Sequence, residues 1–248
     1  MASNPSQKCC FEGVYHEGPS TGKHIDLFGV DTYVAGEHLS NDKVLVLFTD
    51  YFGNHFNNSL LIADQFAKKG YKVYVPDILF DDAVDPDNAD KLDRVTWLSN
   101  HNEDRTKPLV DKYMADLRRE INPPFLGVLG YCFGAKYAIQ QINETTGNAD
   151  TAAIAHPSFV TIDEVAAIGK RPLLISAAET DPIFPPELRH LSEDKLKEIG
   201  ARYQIDLFSG VSHGFAVRGD LSNPEVLYAK EKAFYDQVYW MDYFSKQK

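Results

Sequence analysis

The feature that most constrains the fold is a regular alternation of short apolar runs with longer segments of helical periodicity, which begins at Lys43. Short apolar runs bounded by turn residues are typical of buried strands. Helices between such strands return the chain to the same edge of the sheet, so that successive strands run parallel. The alternation therefore predicts an α/β fold with a mostly parallel central sheet and helices on both faces.

The order of the elements follows from the same pattern. Strands are predicted at 44–48, 71–75, 125–129, 152–155, 173–177 and 203–208, with weaker antiparallel edge strands at 25–28 and 31–34. Helices are predicted at 60–67, 109–121, 163–168, 187–199 and 224–244. The acidic stretch 77–105 lacks clear periodicity and is predicted to pass over the end of the sheet, outside the core. No Gly/Ser-rich or Pro-rich linker divides the chain, so residues 1–248 are expected to form a single domain.

Charge and cysteine content exclude several classes of protein. The chain has 36 Asp and Glu against 25 Lys and Arg, which disfavours binding to nucleic acids and to anionic membranes. The N-terminus lacks the basic and apolar regions of a secretory signal. Only three cysteines occur and two are adjacent, which does not suit a secreted disulfide framework. We expect a cytoplasmic monomer or weak homodimer that acts on a small-molecule substrate, without a nucleic-acid or membrane partner.

A strand-to-helix turn carries the strongest chemical signal. The predicted strand at 125–129 leads into Gly130-Tyr131-Cys132-Phe133-Gly134, and a helical pattern follows. This is the nucleophile-elbow sequence with Cys in place of Ser, and glycine is needed at both flanks because a Cβ would collide in so sharp a turn. The helix N-terminus favours a thiolate at Cys132. Cys132 is therefore predicted to be a nucleophile, with an inert buried cysteine as the alternative.

Partners for the cysteine are expected on loops after later strands, in the chain order nucleophile, acid, histidine. Asp181 follows the strand at 173–177, and His213 follows the strand at 203–208. Glu179 is a rival for the acid, because an Asp-Pro pair such as Asp181-Pro182 is also common in turns. His156 follows another strand and could line the pocket, but a structural role is at least as good an explanation, and it is left out of the predicted triad.

An oxyanion hole is predicted from the same elbow. The backbone N–H of Phe133, the residue after the nucleophile, points to where a tetrahedral oxyanion would form. The second donor is expected from the loop after the strand at 44–48, where Tyr51 is the best candidate.

Three motifs together resemble the dienelactone hydrolase family of the α/β-hydrolase superfamily. They are GYCFGAK around Cys132, the Asp181 loop, and SHGF around His213 with an arginine just beyond; the resemblance runs from about Lys43 to the C-terminus. KCCFEG at 8–13 and AHPSF at 155–159 further resemble a fungal branch that includes a yeast protein named for altered inheritance of mitochondria. The resemblance implies an α/β-hydrolase fold, a Cys132-His213-Asp181 triad, and no metal or organic cofactor.

The family pattern also implies substrate-binding residues. A glutamate after the first core strand pairs with the resting thiol in the family, and this chain has Asp50 at the matching place. Two arginines hold a substrate carboxylate in the family. Arg218, five residues after His213, matches one of them, and Arg94 in the acidic stretch matches the other more loosely. The guanidinium fork suits a carboxylate.

The predicted activity is hydrolysis of a small lactone, ester or thioester through an acyl-thioenzyme. Two alternatives remain: a catalytically weak homologue that binds a ligand or senses oxidants through Cys132, and a thioesterase acting on acylated proteins. No metal site is predicted, because six of the histidines show no ligand spacing with one another or with cysteine. These are His16, His24, His38, His55, His101 and His190.

Overall fold

A computed structural model describes residues 1–247, which contain one eight-stranded sheet in the order β1-β2-β4-β3-β5-β6-β7-β8. The strands are β1 Lys23–Leu27, β2 Val30–Ala35, β3 Lys43–Phe48, β4 Lys72–Pro76, β5 Phe125–Tyr131, β6 Thr151–Ala155, β7 Leu173–Thr180 and β8 Tyr203–Ser212. Strands β3 to β8 are mutually parallel, whereas β1 and β2 form an antiparallel edge. The predicted mostly parallel α/β architecture is confirmed.

Helices cover both faces of the sheet. They are α1 Asn57–Lys68, α2 Arg94–Asn100, α3 Glu103–Glu120, α4 Phe133–Gln141, α5 Ile162–Ala167, α6 Pro186–Ile199, α7 Phe215–Arg218 and α8 Pro224–Ser245. Helices α1 and α8 pack together, with the rings of Phe66 and Phe234 4.8 Å apart. Helix α4 contacts α3 through Gln141 and Asp111, and α5 through Lys136 and Glu164.

The central strands explain why the apolar runs are continuous rather than alternating. Every residue of β5 and β6 is buried, as expected for parallel strands covered on both faces. The carboxyl ends of these strands lie at the same edge of the sheet, and the loops that follow β3, β5, β6, β7 and β8 therefore gather there.

Two predictions about the acidic stretch and the helix after it need correction. The stretch contains helix α2, whose Trp97 is buried and donates from Nε1 to the Asp82 carbonyl at 2.8 Å. Helix α3 begins at Glu103, six residues before the predicted start at 109, because the Asn102 side chain caps it by accepting from the Arg105 N–H. A single buried aromatic and a polar first turn gave no clear periodic signal.

Within residues 1–247, no helix combines the length and apolar character needed to cross a membrane.

Candidate active site

Cys132 lies at a strained turn between β5 and α4, with φ 51° and ψ −109°. The flanking glycines are required by close backbone approach. A Cβ on Gly134 would lie 2.2 Å from the Phe48 carbonyl oxygen, and one on Gly130 would lie 2.7 Å from the Cα of Ala135. The turn thus presents Cys132 at the carboxyl edge of the sheet, beside the end of β3.

His213 lies between Cys132 and Asp181. Its Nε2 is 3.2 Å from the Cys132 sulfur, and its Nδ1 is 2.9 Å from Oδ2 and 3.0 Å from Oδ1 of Asp181. Asp181 is fixed in turn because its Oδ1 accepts from the N–H groups of Ile183 and Phe184. Glu179, the rival acid, is exposed and accepts instead from the Gly210 N–H at 2.9 Å.

Burial determines the electrostatics of this group, since the side chains of His213 and Asp181 are both fully inaccessible. Burial raises the pKa of the Cys132 thiol well above its usual value, so the resting sulfur is held protonated. Burial acts to lower the pKa of His213, but the charge that the Cys132 sulfur carries as a thiolate, together with the Asp181 carboxylate, outweighs it and raises that pKa to about 9. Once the thiol proton has moved to His213, the imidazolium is therefore stabilised by the thiolate and by Asp181.

Two further side chains contact the reactive atoms and were missed by sequence reasoning. The Ser158 hydroxyl, in the loop after β6, is 3.2 Å from the Cys132 sulfur. The Cys10 sulfur is 3.5 Å from Nε2 of His213, although the two residues are 203 positions apart in the chain. Both residues stand in motifs named from the sequence, Ser158 in AHPSF and Cys10 in KCCFEG, but no spacing rule placed either of them beside Cys132 and His213.

The two residues predicted to supply the oxyanion donors pack against each other through their side chains. Phe133 is the first residue of α4, so its N–H has no acceptor within the helix. Tyr51 follows β3, and its ring lies 5.2 Å from the Phe133 ring. Both residues are buried beside the elbow.

Asp50 and Arg218 form a buried ion pair between Oδ2 and Nη1. Oδ1 of Asp50 accepts from the Phe52 N–H. The Arg218 guanidinium also donates from Nε to the Glu12 carbonyl at 2.7 Å and from Nη2 to the Cys9 carbonyl at 3.2 Å. The guanidinium therefore binds Asp50 and the N-terminal chain in this structure.

Residues 2–14, which we call the N-terminal segment, lie across the site. The N–H groups of Ala2 and Ser3 bond the Val160 carbonyl, the Ser6 hydroxyl bonds the Tyr51 hydroxyl, and the Phe11 ring stacks on that of Tyr51 at 4.7 Å. A short 3-10 helix, Lys8–Phe11, carries both Cys10 and Phe11 inward. The Cys10 sulfur lies within 4.8 Å of the Cys132 sulfur, and Cys132 is completely buried where the segment crosses it.

Arg94 lies on the outer side of the N-terminal segment, with its guanidinium carbon 5.2 Å from the centre of the Phe11 ring. It lines a surface cavity of about 380 Å³ together with Phe11, Gly13 and Phe52. Arg218 lies over a different ring, that of Phe52, with its guanidinium carbon 5.6 Å from the ring centre. The joint role of the two arginines as a clamp stays a prediction.

His156 lies behind the triad, with its ring centre 5.0 Å from that of His213 and with an unusual positive φ of 39°. Burial lowers its pKa well below the usual value, and the Arg218 charge and the His213 ring, when protonated, act in the same direction. Among residues 1–247, neither of its ring nitrogens has a hydrogen-bond partner. His156 is therefore an uncharged residue that lines the back of the site.

The strand order, the elbow and the loops that meet at the carboxyl edge define the class of protein, an α/β-hydrolase. The chain belongs to the dienelactone hydrolase family, whose family model matches residues 30–245. It is an esterase-type hydrolase. The more specific likeness to the branch with the yeast protein stays a prediction.

Named relatives and a solved structure agree with this family. "Hydrolase tropI" of Talaromyces stipitatus is 39% identical, with 100% of both chains covered. "Dienlactone hydrolase 1" of Gibberella moniliformis is 35% identical, over 98% of this chain and 96% of the relative. The crystal structure of the dienelactone hydrolase-like promiscuous phosphotriesterase P91 matches 92% of this chain and 99% of its own, with a TM-score of 0.70 at 14% identity, which supports the fold alone.

Proposed function

We propose that the protein hydrolyses a small lactone, ester or thioester, with Cys132 as nucleophile, His213 as base and Asp181 as the orienting acid. The observation that carries this proposal is the position of His213, whose two ring nitrogens lie 3.2 Å from the Cys132 sulfur and 2.9 Å from Asp181. Nucleophile, base and orienting group in this relation are the general requirement for covalent acyl transfer.

The acylation half begins from a protonated thiol. His213 accepts the thiol proton as the sulfur attacks the carbonyl carbon, and a C–S bond forms while the carbonyl π electrons move to oxygen. The N–H groups of Phe133 and Tyr51 bind this oxyanion, and each such donor contributes about 2.7–4 kcal/mol in studied enzymes. The oxyanion then collapses, the C–O or C–S bond to the leaving group breaks, and His213 protonates that group.

Hydrolysis of the acyl-thioenzyme repeats the same steps with water. His213 removes a proton from the water as its oxygen attacks the thioester carbonyl, the C–S bond breaks, and the thiol regains its proton. The products are the carboxylic acid and the free enzyme. No step needs a cofactor or an oxidant.

Substrate access involves the N-terminal segment, because the segment covers Cys132. The cavity lined by Phe11, Phe52 and Arg94 is the approach we propose. Arg94 there would meet an anionic group of the substrate first. Asp50 and Arg218 would act in binding from the inner side, once the substrate displaces the carbonyls of Cys9 and Glu12 from the guanidinium.

Rapid mixing with p-nitrophenyl acetate tests the proposal. We expect a burst of p-nitrophenolate of one equivalent per protein chain, because acylation precedes the slower hydrolysis of the thioester. Cys132→Ala should abolish both the burst and turnover, whereas Cys9→Ser, a matched loss of a nearby thiol, should keep them. A burst that survives in Cys132→Ala contradicts the proposal.

The second candidate is a ligand-binding or redox-sensing role for Cys132. One observation favours it, namely that Cys10 places a second sulfur within reach of the same imidazole. No turnover with any ester, lactone or thioester at any pH, together with rapid oxidation of Cys132 by hydrogen peroxide, would favour this candidate over hydrolysis.

The cellular setting also stays a proposal. We infer a single-domain cytoplasmic enzyme that is a monomer or weak homodimer. Sedimentation at several concentrations tests the oligomeric state.

A further inference from the structure

Three potential metal ligands meet at the site. The sulfurs of Cys10 and Cys132 and Nε2 of His213 all lie within 4.8 Å of one another. The nitrogen is 3.5 Å from the first sulfur and 3.2 Å from the second. All three residues are buried. The hydrolytic reaction proposed above uses Cys132 and His213 but leaves Cys10 without a role.

The spacing of these atoms suits one small thiophilic ion. Zinc lies about 2.3 Å from cysteine sulfur and about 2.0–2.1 Å from histidine nitrogen, so ligands on a tetrahedral zinc are about 3.6 Å apart for N and S and about 3.8 Å for two sulfurs. The two N-to-S distances in the protein, 3.5 Å and 3.2 Å, differ from the ideal N-to-S value by only a few tenths of an ångström. Little movement would bring the three atoms onto an ion.

Asp181 also orients His213 for metal binding. Its carboxylate lies 2.9 Å from Nδ1, so the neutral ring donates its Nδ1 proton there and directs the Nε2 lone pair toward the two sulfurs. A histidine that binds a metal usually donates its other nitrogen to a carboxylate or carbonyl, which fixes the ring and raises its basicity. This outer partner is already in place.

Cys10 is held in position by its own segment. The carbonyls of its neighbour Cys9 and of Glu12 accept from Arg218, and Phe11 stacks on Tyr51. The short 3-10 helix is thus fastened on both sides of Cys10. The third ligand is pre-positioned, which lowers the entropy lost when an ion binds.

We propose that Cys10, Cys132 and His213 bind one Zn²⁺ ion, or another thiophilic ion of similar size, with the fourth coordination position open. Each thiol binds as a thiolate and releases its proton to solvent. The ion takes the Cys132 sulfur and the Nε2 lone pair, so metal and acyl substrate exclude each other. The site would therefore act as an inhibitory metal site. The ligand geometry carries this inference independently of whether the protein proves to be a hydrolase.

Cd²⁺ titration of the reduced, metal-free full-length protein is the direct test, because thiolate-to-cadmium charge transfer absorbs in the ultraviolet. We expect one equivalent to produce the band and Zn²⁺ to displace it. A second possible ligand group, His24, Asp31 and His55, lies at the partly exposed edge strands. It contains no thiol, so it cannot produce the band.

Matched cysteine variants decide the assignment. Cys10→Ser and Cys132→Ser should each weaken Cd²⁺ binding by more than about 100-fold. Changes to residues that only hydrogen-bond a metal ligand typically cost about 10–100-fold. Cys9→Ser should keep both the band and the affinity. Circular dichroism and the thermal midpoint identify any variant that fails to fold. If a variant does not fold, the unmodified protein is tested instead. One equivalent of Zn²⁺ should then protect Cys10 and Cys132 from an alkylating reagent.

Three results would overturn the proposal: a band that survives in Cys10→Ser, a band lost in Cys9→Ser alone, or no protection of Cys10 by Zn²⁺. Metal binding in a protein that gives no ester burst would support this site while contradicting the proposed hydrolysis, so the two failures are distinguishable.

Discussion

Arg218 and Asp50 form an ion pair in which both side chains are almost completely buried. The pair joins the loop after β3 to the short helix α7, and the same guanidinium binds two carbonyls of the N-terminal segment. Gly13 and Gly214 enclose the arginine closely, since a Cβ on either would lie 2.5 Å or 2.8 Å from it. The pair therefore fixes the position of the segment that covers Cys132.

Asp50→Ala leaves the Arg218 charge buried without its partner. We expect a loss of about 3–5 kcal/mol in the free energy of unfolding, the usual cost of removing one member of a buried pair. Urea unfolding measures it. In a double-mutant cycle with Arg218→Met, the double variant should lose less than the sum of the single losses, and additive losses would show that the two side chains are not coupled.

Asp181→Asn should reduce kcat strongly while the protein stays folded. An asparagine can orient the His213 ring in the wrong tautomer, which in the serine-protease triad lowers kcat by about 10⁴-fold. Glu179→Gln is the matched control, because this exposed side chain contacts the Gly210 N–H and not the imidazole. Steady-state ester hydrolysis distinguishes them. A large loss in Glu179→Gln with little loss in Asp181→Asn would reverse the assignment of the acid.

Gly134→Ala should disrupt the elbow. The added methyl group would meet the Phe48 carbonyl at 2.2 Å, and rigid backbone cannot yield as a side chain can. We expect loss of activity and a destabilisation at or above the 1–3 kcal/mol of ordinary overpacking. Gly200→Ala provides the comparison, because Gly200 has φ 70° with open space around it and should cost only about 1–2 kcal/mol of backbone strain. Equal losses of stability in Gly134→Ala and Gly200→Ala would contradict the close backbone contact at Gly134.

Lys230, on α8, should make stability depend on pH. Burial lowers its pKa from 10.5 to about 7, although Asp50 opposes the shift, and its Nζ donates to the carbonyls of Ala216 and Val217. Between these two values the unfolded chain binds more protons than the folded protein, so this contribution to stability rises with pH.

Lys230→Met removes that dependence. The free energy of unfolding of the wild type, relative to the variant, should increase from pH 7 to pH 9.5 by up to about 1.4 kcal/mol per pH unit. Groups shared by both proteins cancel in the difference. A difference that stays constant or falls with rising pH would show that Lys230 is charged in the folded protein.

The sheet could be predicted from sequence because its buried parallel strands are continuous apolar runs, such as the one at 125–129 within β5. The elbow could also be predicted, because Gly130 and Gly134 are required by close contacts with backbone a few residues away or in the adjacent strand. Helix α2 was not visible, because Trp97 alone of its residues is buried and no apolar stripe results.

Contacts between distant parts of the chain explain what sequence reasoning could not find. Cys10 reaches His213 because contacts with Arg218, Tyr51 and Val160 hold the N-terminal segment over the site. Likewise, the sequence suggested Asp50 and Arg218 as separate substrate contacts, and nothing in their spacing revealed that they pair. Their part in substrate binding stays a prediction.

Peptide mapping by mass spectrometry after brief incubation with an activated ester tests the central claim most directly. We predict an acyl group on Cys132 that appears before turnover is complete, that decays as the acid is released, and that is absent from Cys132→Ala. Acyl groups confined to Cys9 or Cys10, with Cys132 unmodified throughout turnover, would contradict the account.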